Sequence, residues 1–182
     1  MRADHRGIVL ITGIMASGKS TVAQLLSERF KQSVHIRGDL FRRMIVNNRK
    51  EVRPEAEQEE LDQLRLRYRL AAHCADAYCE AGFTVVVQDV VIGPMLNDFI
   101  AAVHQRPLYV VVLCPRPSVV DSREASRPKK GYGIWTVEGL DSVLRNETPR
   151  IGMWLDSSEL TPEETVHRIW TEMQEKALIE SM

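Results

Sequence analysis

Along this chain apolar residues recur in two rhythms. Short unbroken runs such as Ile8-Val9-Leu10-Ile11, Val85-Val86-Val87 and Tyr109-Val110-Val111-Val112-Leu113 lack the in-and-out alternation of a strand with one wet face. They read as strands covered on both sides. Between them apolar positions return at helical spacing. Val22, Leu25, Leu26 and Phe30 do so in a helix predicted over 19–31, and Leu61, Leu64, Tyr68, Ala71, Ala72, Ala75 and Tyr78 in a long helix predicted over 54–81. That helix opens on Glu55, Glu57, Glu59 and Glu60, which suit the positive end of a helix dipole, and Gly82 is placed to stop it.

The remaining pattern fills in around these elements. Strands are predicted over 7–12, 33–36, 83–89, 108–113 and 151–155. Helices are predicted from Gly93-Pro94 to Val103, over 118–125, over 136–145 and from Thr161 onward. Thr161-Pro162-Glu163-Glu164 carries a capping residue, a proline at the first helical position and the glutamate of a capping box. Asn47, Asn48 and Pro54 interrupt the helical pattern between 40 and 54. Strands alternating with helices predict one α/β domain over 1–182, three layers with helices on both faces of a five-stranded parallel sheet.

Composition narrows the class. With 182 residues, 44% of them hydrophobic, the chain can bury a core as one unit. A formal net charge of −1 supplies no basic field for nucleic acid or an anionic membrane. The apolar runs are too short to span a bilayer, and the polar start (Met1 to Arg6) has no signal-peptide core. Cys74, Cys79 and Cys114 lack metal-ligand spacing, so reduced thiols in a cytoplasmic protein are expected, as a monomer or homodimer.

The candidate chemistry begins where the first strand ends. Gly13-Ile14-Met15-Ala16-Ser17-Gly18-Lys19-Ser20-Thr21 fits G-x-x-x-x-G-K-[ST], with a predicted strand before it and a helix after it. Gly13 and Gly18 let the backbone curl so that successive N–H groups meet phosphate oxygens, and the helix N-terminus adds positive potential. Gly13, Ala16, Ser17, Gly18, Lys19, Ser20 and Thr21 therefore form the expected ATP contact set. Lys19 reaches the β- and γ-phosphates, and the Ser20 hydroxyl sits on Mg2+.

Other groups bear on what happens to the phosphate. Asp39 follows the second strand at a strand-to-helix switch, where ligands of open parallel sheets bind; it is the expected general base, with helix capping the bland alternative. Asp89 closes an apolar strand, a place suited to holding magnesium through water or touching the acceptor; Gln88 beside it is neutral and cannot act as a base. Arg42, Arg43 and Tyr68 are further acceptor-side candidates. Arg123 and Arg127 lie four apart at the end of one predicted helix. With Lys129, Lys130, Gly131 and Gly133 they form a lid over about 123–135, in which the arginines close on the phosphates and stabilise charge on the transferring group while the two lysines read as solvated surface.

On these residues the chain resembles phosphate-loop small-molecule kinases. The Gly18-Lys19-Ser20 loop, Arg37-Gly38-Asp39-Leu40 after the second strand and the arginine-bearing lid are similar to gluconate and adenylylsulfate kinases, and more so to the chloramphenicol phosphotransferase-like family. That family carries an Asp-Asp-Val stretch at strand three, where this chain reads Gln88-Asp89-Val90. The resemblance implies a sheet in the order 2-3-1-4-5 and Asp39 as the base that activates a substrate hydroxyl. The expected activity is ATP-dependent phosphorylation of a small hydroxylated acceptor, an antibiotic or a sugar-like metabolite. Its rivals are a nucleoside or nucleotide kinase, which Arg37, Arg42 and Arg43 would serve, and a nucleotide-dependent switch or binding module outside catalysis.

Overall fold

The computed structural model describes residues 6–128 and 131–179. The N-terminal residues up to His5 and the lysines at 129 and 130 expected in the lid therefore lie outside the described residues. In chain order the elements are β1 (Gly7–Gly13), α1 (Lys19–Ser27), β2 (Ser33–Arg37), α2 (Asp39–Arg43), α3 (Gln58–Glu80), β3 (Thr84–Gln88), α4 (Met95–Ala102), β4 (Leu108–Leu113), α5 (Pro117–Ser126), α6 (Val137–Ser142), β5 (Met153–Leu155), α7 (Pro162–Lys176) and β6 (Leu178–Ile179).

Five strands run parallel in the order β2-β3-β1-β4-β5. The unbroken apolar runs explain why the sheet is covered on both faces. Ile8, Leu10, Val85, Val87, Leu108, Val110 and Val112 point to the side packed by α3, α4 and α6. Val9, Ile11, Val86, Tyr109, Val111 and Leu113 point to the side packed by α1 and α7. Each fully buried side chain of this size contributes about 1.5–3 kcal/mol, so these two layers dominate stability.

Several boundaries differ from the sequence reading, each for a local reason. α1 ends at Ser27 rather than Lys31: the Ser27 hydroxyl turns back onto Ala23 O, and Arg29 and Phe30 bond only three residues back as the chain turns toward β2. α3 begins at Gln58 because Glu57 and Glu60 form a reciprocal capping box there. Cys79, not Tyr78, continues its buried stripe; Tyr78 is exposed and packs edge-on against Phe83. α6 is short and runs on as a π-helical turn, Val143–Glu147. The box at Thr161 and Glu164 forms as the sequence predicts.

One strand is absent from the sequence reading. β6 pairs antiparallel with the first half of β4, Leu108 opposite Ile179, while β5 pairs with the second half. Two residues carry no detectable alternation, so β6 has no signature in the sequence.

The register positions the site. Ile11 of β1 faces Gln88 of β3, and Gln88 faces Arg37 of β2. Just past that common rung come the phosphate-loop motif, Asp89 and Asp39, side by side at the carboxyl edge of the sheet.

Candidate active site

The loop after β1 has the strained form its motif demands. Gly13 has φ +146°, and a Cβ there would strike Leu113 O and lie 2.9 Å from the Ser17 hydroxyl. Gly18 has φ +98°, and Ala16 adopts a left-handed φ of +60° although it carries a side chain. Three loop carbonyls are held from different directions. Ile14 O accepts from Ser17 N–H at 3.3 Å and from the Lys19 ammonium at 2.6 Å; Met15 O accepts from the Tyr132 hydroxyl at 2.7 Å; Ser17 O accepts from Arg123 at 3.4 Å.

Lys19 is buried beneath this loop, where burial first, then the positive charges of Arg127 and Arg67, pull its ammonium from the usual 10.5 down to about 7. A phosphate group arriving there would restore the charged form. The Ser20 hydroxyl donates to Gln88 Oε1 at 3.4 Å, so the residue that replaces the family's first carboxylate is the one that meets the motif serine.

On the β2 side Arg42, Arg43 and Arg67 are each paired with a carboxylate. Asp39 is half-buried and receives Arg43 at 2.5 Å; it is the first residue of α2, one past the cap position held by Gly38, and its carboxylate stands in the helix's first turn. Arg42 bonds Glu51 at 3.0 Å. Asp89, 3% exposed, accepts Arg67 Nε at 2.7 Å on one oxygen; its other oxygen takes Val90 N–H at 2.7 Å and the second arm of Arg67. Gly38 packs directly on this carboxylate, leaving no room for a Cβ. Tyr68 does not join the cluster. Its ring lies in the core against Phe99, its hydroxyl donates to Val90 O at 2.5 Å, and burial pushes the phenol up to about 12.

On the lid side Arg123 and Arg127 do not share a helix face, because α5 stops at Ser126 and Arg127 is extended. Arg123 bridges the two sides of the nucleotide-facing edge, donating to Ser17 O and, at 3.1 Å, to Ser157 O. Arg127 pairs with Glu124 at 3.2 Å, and the same carboxylate receives Gly131 N–H. Gly133 has φ +56° and open space around it, consistent with a hinge.

Three residues here escaped the sequence reading: Arg67, Gln88 as the partner of Ser20, and Tyr132. Arg67 left a signal. It stands between Leu64 and Ala71 on the inward stripe of α3, and a cation at an inward position calls for a buried anion. Tyr132 lies in a Gly-rich segment without periodicity and left none. Among the described residues no helix is long and apolar enough to cross a membrane, and no cluster of metal-ligating side chains is present.

Comparison with known proteins agrees with this architecture. No curated protein sequence matches the chain. Similar solved structures include a sugar kinase from Janibacter sp. (TM-score 0.72, 18% identity, covering 92% of this chain and 94% of that one). A tunicamycin resistance protein from Deinococcus radiodurans is also similar (TM-score 0.66, 16% identity, 97% and 100% covered), as is thymidylate kinase from Candida albicans (TM-score 0.64, 14% identity, 97% and 96% covered). These likenesses establish the phosphate-loop kinase fold. The family model described as chloramphenicol phosphotransferase-like protein matches residues 6–174, and the chain belongs to that family.

Proposed function

We propose that this protein is an ATP-dependent O-phosphotransferase, with Asp39 taking the proton of the attacking hydroxyl. The observation that carries this reading is the placement of Asp39. A half-buried carboxylate, oriented by Arg43, stands at the same edge of the sheet as the phosphate loop, with β3 between the two strands that carry them. A base held beside a bound γ-phosphate supplies what alcohol phosphorylation requires.

The other residues divide the work. The loop N–H groups and Lys19 hold the phosphates. Arg123 and Arg127 stabilise the charge that develops on the transferring group. The residues also fit a magnesium ion of the kind that keeps its waters and is held mainly by phosphate oxygens: Ser20 Oγ offers one neutral ligand, while the oxygens of Asp89 are engaged by Arg67 and Val90. When bound, that ion neutralises phosphate charge. The protein's part is to orient the acceptor at Asp39 and to exclude water by seating the lid.

The acceptor we propose is a hydroxylated small molecule without a phosphate of its own, an antibiotic or a sugar-like metabolite. Of the three arginines that would serve a nucleotide kinase, Arg42 and Arg43 each already hold a carboxylate, and exposed Arg37 is the one left for a monophosphate.

The test is transfer of labelled phosphate from ATP across a panel of hydroxylated compounds, wild type beside Asp39→Asn. With an acceptor found, the variant is expected to lose about 100- to 10,000-fold in kcat. Transfer at the wild-type rate would remove Asp39 from the role of base.

A further inference from the structure

We propose that Tyr132 is a positioning residue for the phosphate loop, holding the Met15–Ala16 peptide in the orientation that aims the Ala16 N–H at phosphate. The inference rests on the reading that this loop carries a nucleotide's phosphates. It assigns the loop's shape to a lid residue that the nucleotide motif does not contain.

The argument starts from Ala16. A residue with a Cβ at φ +60° pays about 1–2 kcal/mol for left-handed backbone, so the conformation persists only where neighbours hold it. Gly13 and Gly18 need no such help. The carbonyl of the peptide entering Ala16 is Met15 O, and it accepts the Tyr132 hydroxyl at 2.7 Å. In a trans peptide the C=O and N–H point opposite ways, so anchoring Met15 O outward on Tyr132 turns the Ala16 N–H inward. Ile14 O and Ser17 O, on either side, are held by other donors, so Tyr132 is the support at this peptide.

Tyr132 is suited to the task. It is 8% exposed, and a buried phenol hydroxyl needs a partner. Burial, with Glu124, Asp121 and Asp141 nearby, pushes its pKa up, so it remains a donor throughout the physiological range. Its segment is fixed at both ends: Gly131 N–H bonds Glu124, and Trp135 Nε1 donates to Val52 O at 2.8 Å, in the stretch between α2 and α3. Where the lid sits therefore decides how the Ala16 peptide is turned.

The test is a double-mutant cycle read as the Kd for Mg-ATP by titration calorimetry, with circular dichroism and melting curves establishing that each protein is folded. Tyr132→Phe removes one hydroxyl and keeps the ring. It is expected to weaken binding about 3- to 10-fold, the worth of one hydrogen bond. Ala16→Gly removes the left-handed penalty, so in that background the same Tyr132→Phe change is expected to cost less than twofold. A role confined to lid packing would give equal losses in both backgrounds. Equal losses, or unchanged binding by Tyr132→Phe, would overturn the proposal. If Tyr132→Phe does not fold, Tyr132→Leu is put through the same cycle, and equal losses in the two backgrounds would overturn the proposal. Failure of the wild type itself to bind Mg-ATP would instead sink the nucleotide-site reading, and is seen before any variant is compared.

Discussion

At the residue scale Lys19 is the most perturbed group whose charge matters to ligand binding. Its pKa near 7 in the protein alone reflects a cation buried beside two guanidiniums. The sign follows from which state binds more protons. The unfolded chain keeps this amine protonated up to about 10.5, so burying it lowers stability at acidic and neutral pH, and that loss fades as pH rises from about 7 to 10.5. Bound phosphate acts the other way and favours the ammonium. Nucleotide binding at pH 8 should therefore take up a proton, and affinity should fall as pH climbs above about 7. Calorimetry in two buffers of different ionisation enthalpy measures this directly; equal heats in the two would mean that Lys19 enters already charged.

At the scale of elements, the junction of α3, β3 and α2 is held by the Arg67–Asp89 pair, with Gly38 packed on the carboxylate. Arg67 is largely buried and Asp89 almost wholly so. Breaking one side leaves the other charge unpaired: Asp89→Asn and Arg67→Leu are each expected to cost about 3–5 kcal/mol in urea unfolding. The double variant should cost less than the sum, because the stranded charge is gone. How far these elements were legible in the sequence follows from what each depends on. The strands, α3 and the phosphate loop announce themselves through local pattern: unbroken Val/Ile runs, a long apolar stripe, a motif with two glycines and a lysine. The pairings that shape the site join residues far apart in the chain, such as Arg67 with Asp89, Ser20 with Gln88 and Tyr132 with Met15. No local rhythm encodes them. The face expected to be shared by Arg123 and Arg127 does not form for the opposite reason: helical spacing from Arg123 stops at Ser126, one residue short of Arg127.

At the scale of the whole molecule, the carboxyl edge of the sheet is divided in two. One half, around Lys19, Arg123 and Arg127, faces the loop with cations. In the other half, around Asp39, Arg43, Arg42 and Arg67 are paired with Asp39, Glu51 and Asp89, and Arg37 stands exposed at the end of β2. The halves should respond differently to dissolved ions. Raising ionic strength from about 0.05 to 0.5 M shortens the Debye length severalfold and should raise KM for ATP, whose attraction is Coulombic. For the acceptor of the proposed reaction the saturation curve should move less, since Asp39, Glu51 and Asp89 on that side are each paired with an arginine. A titration with potassium chloride would thus separate the two substrates without altering a single residue.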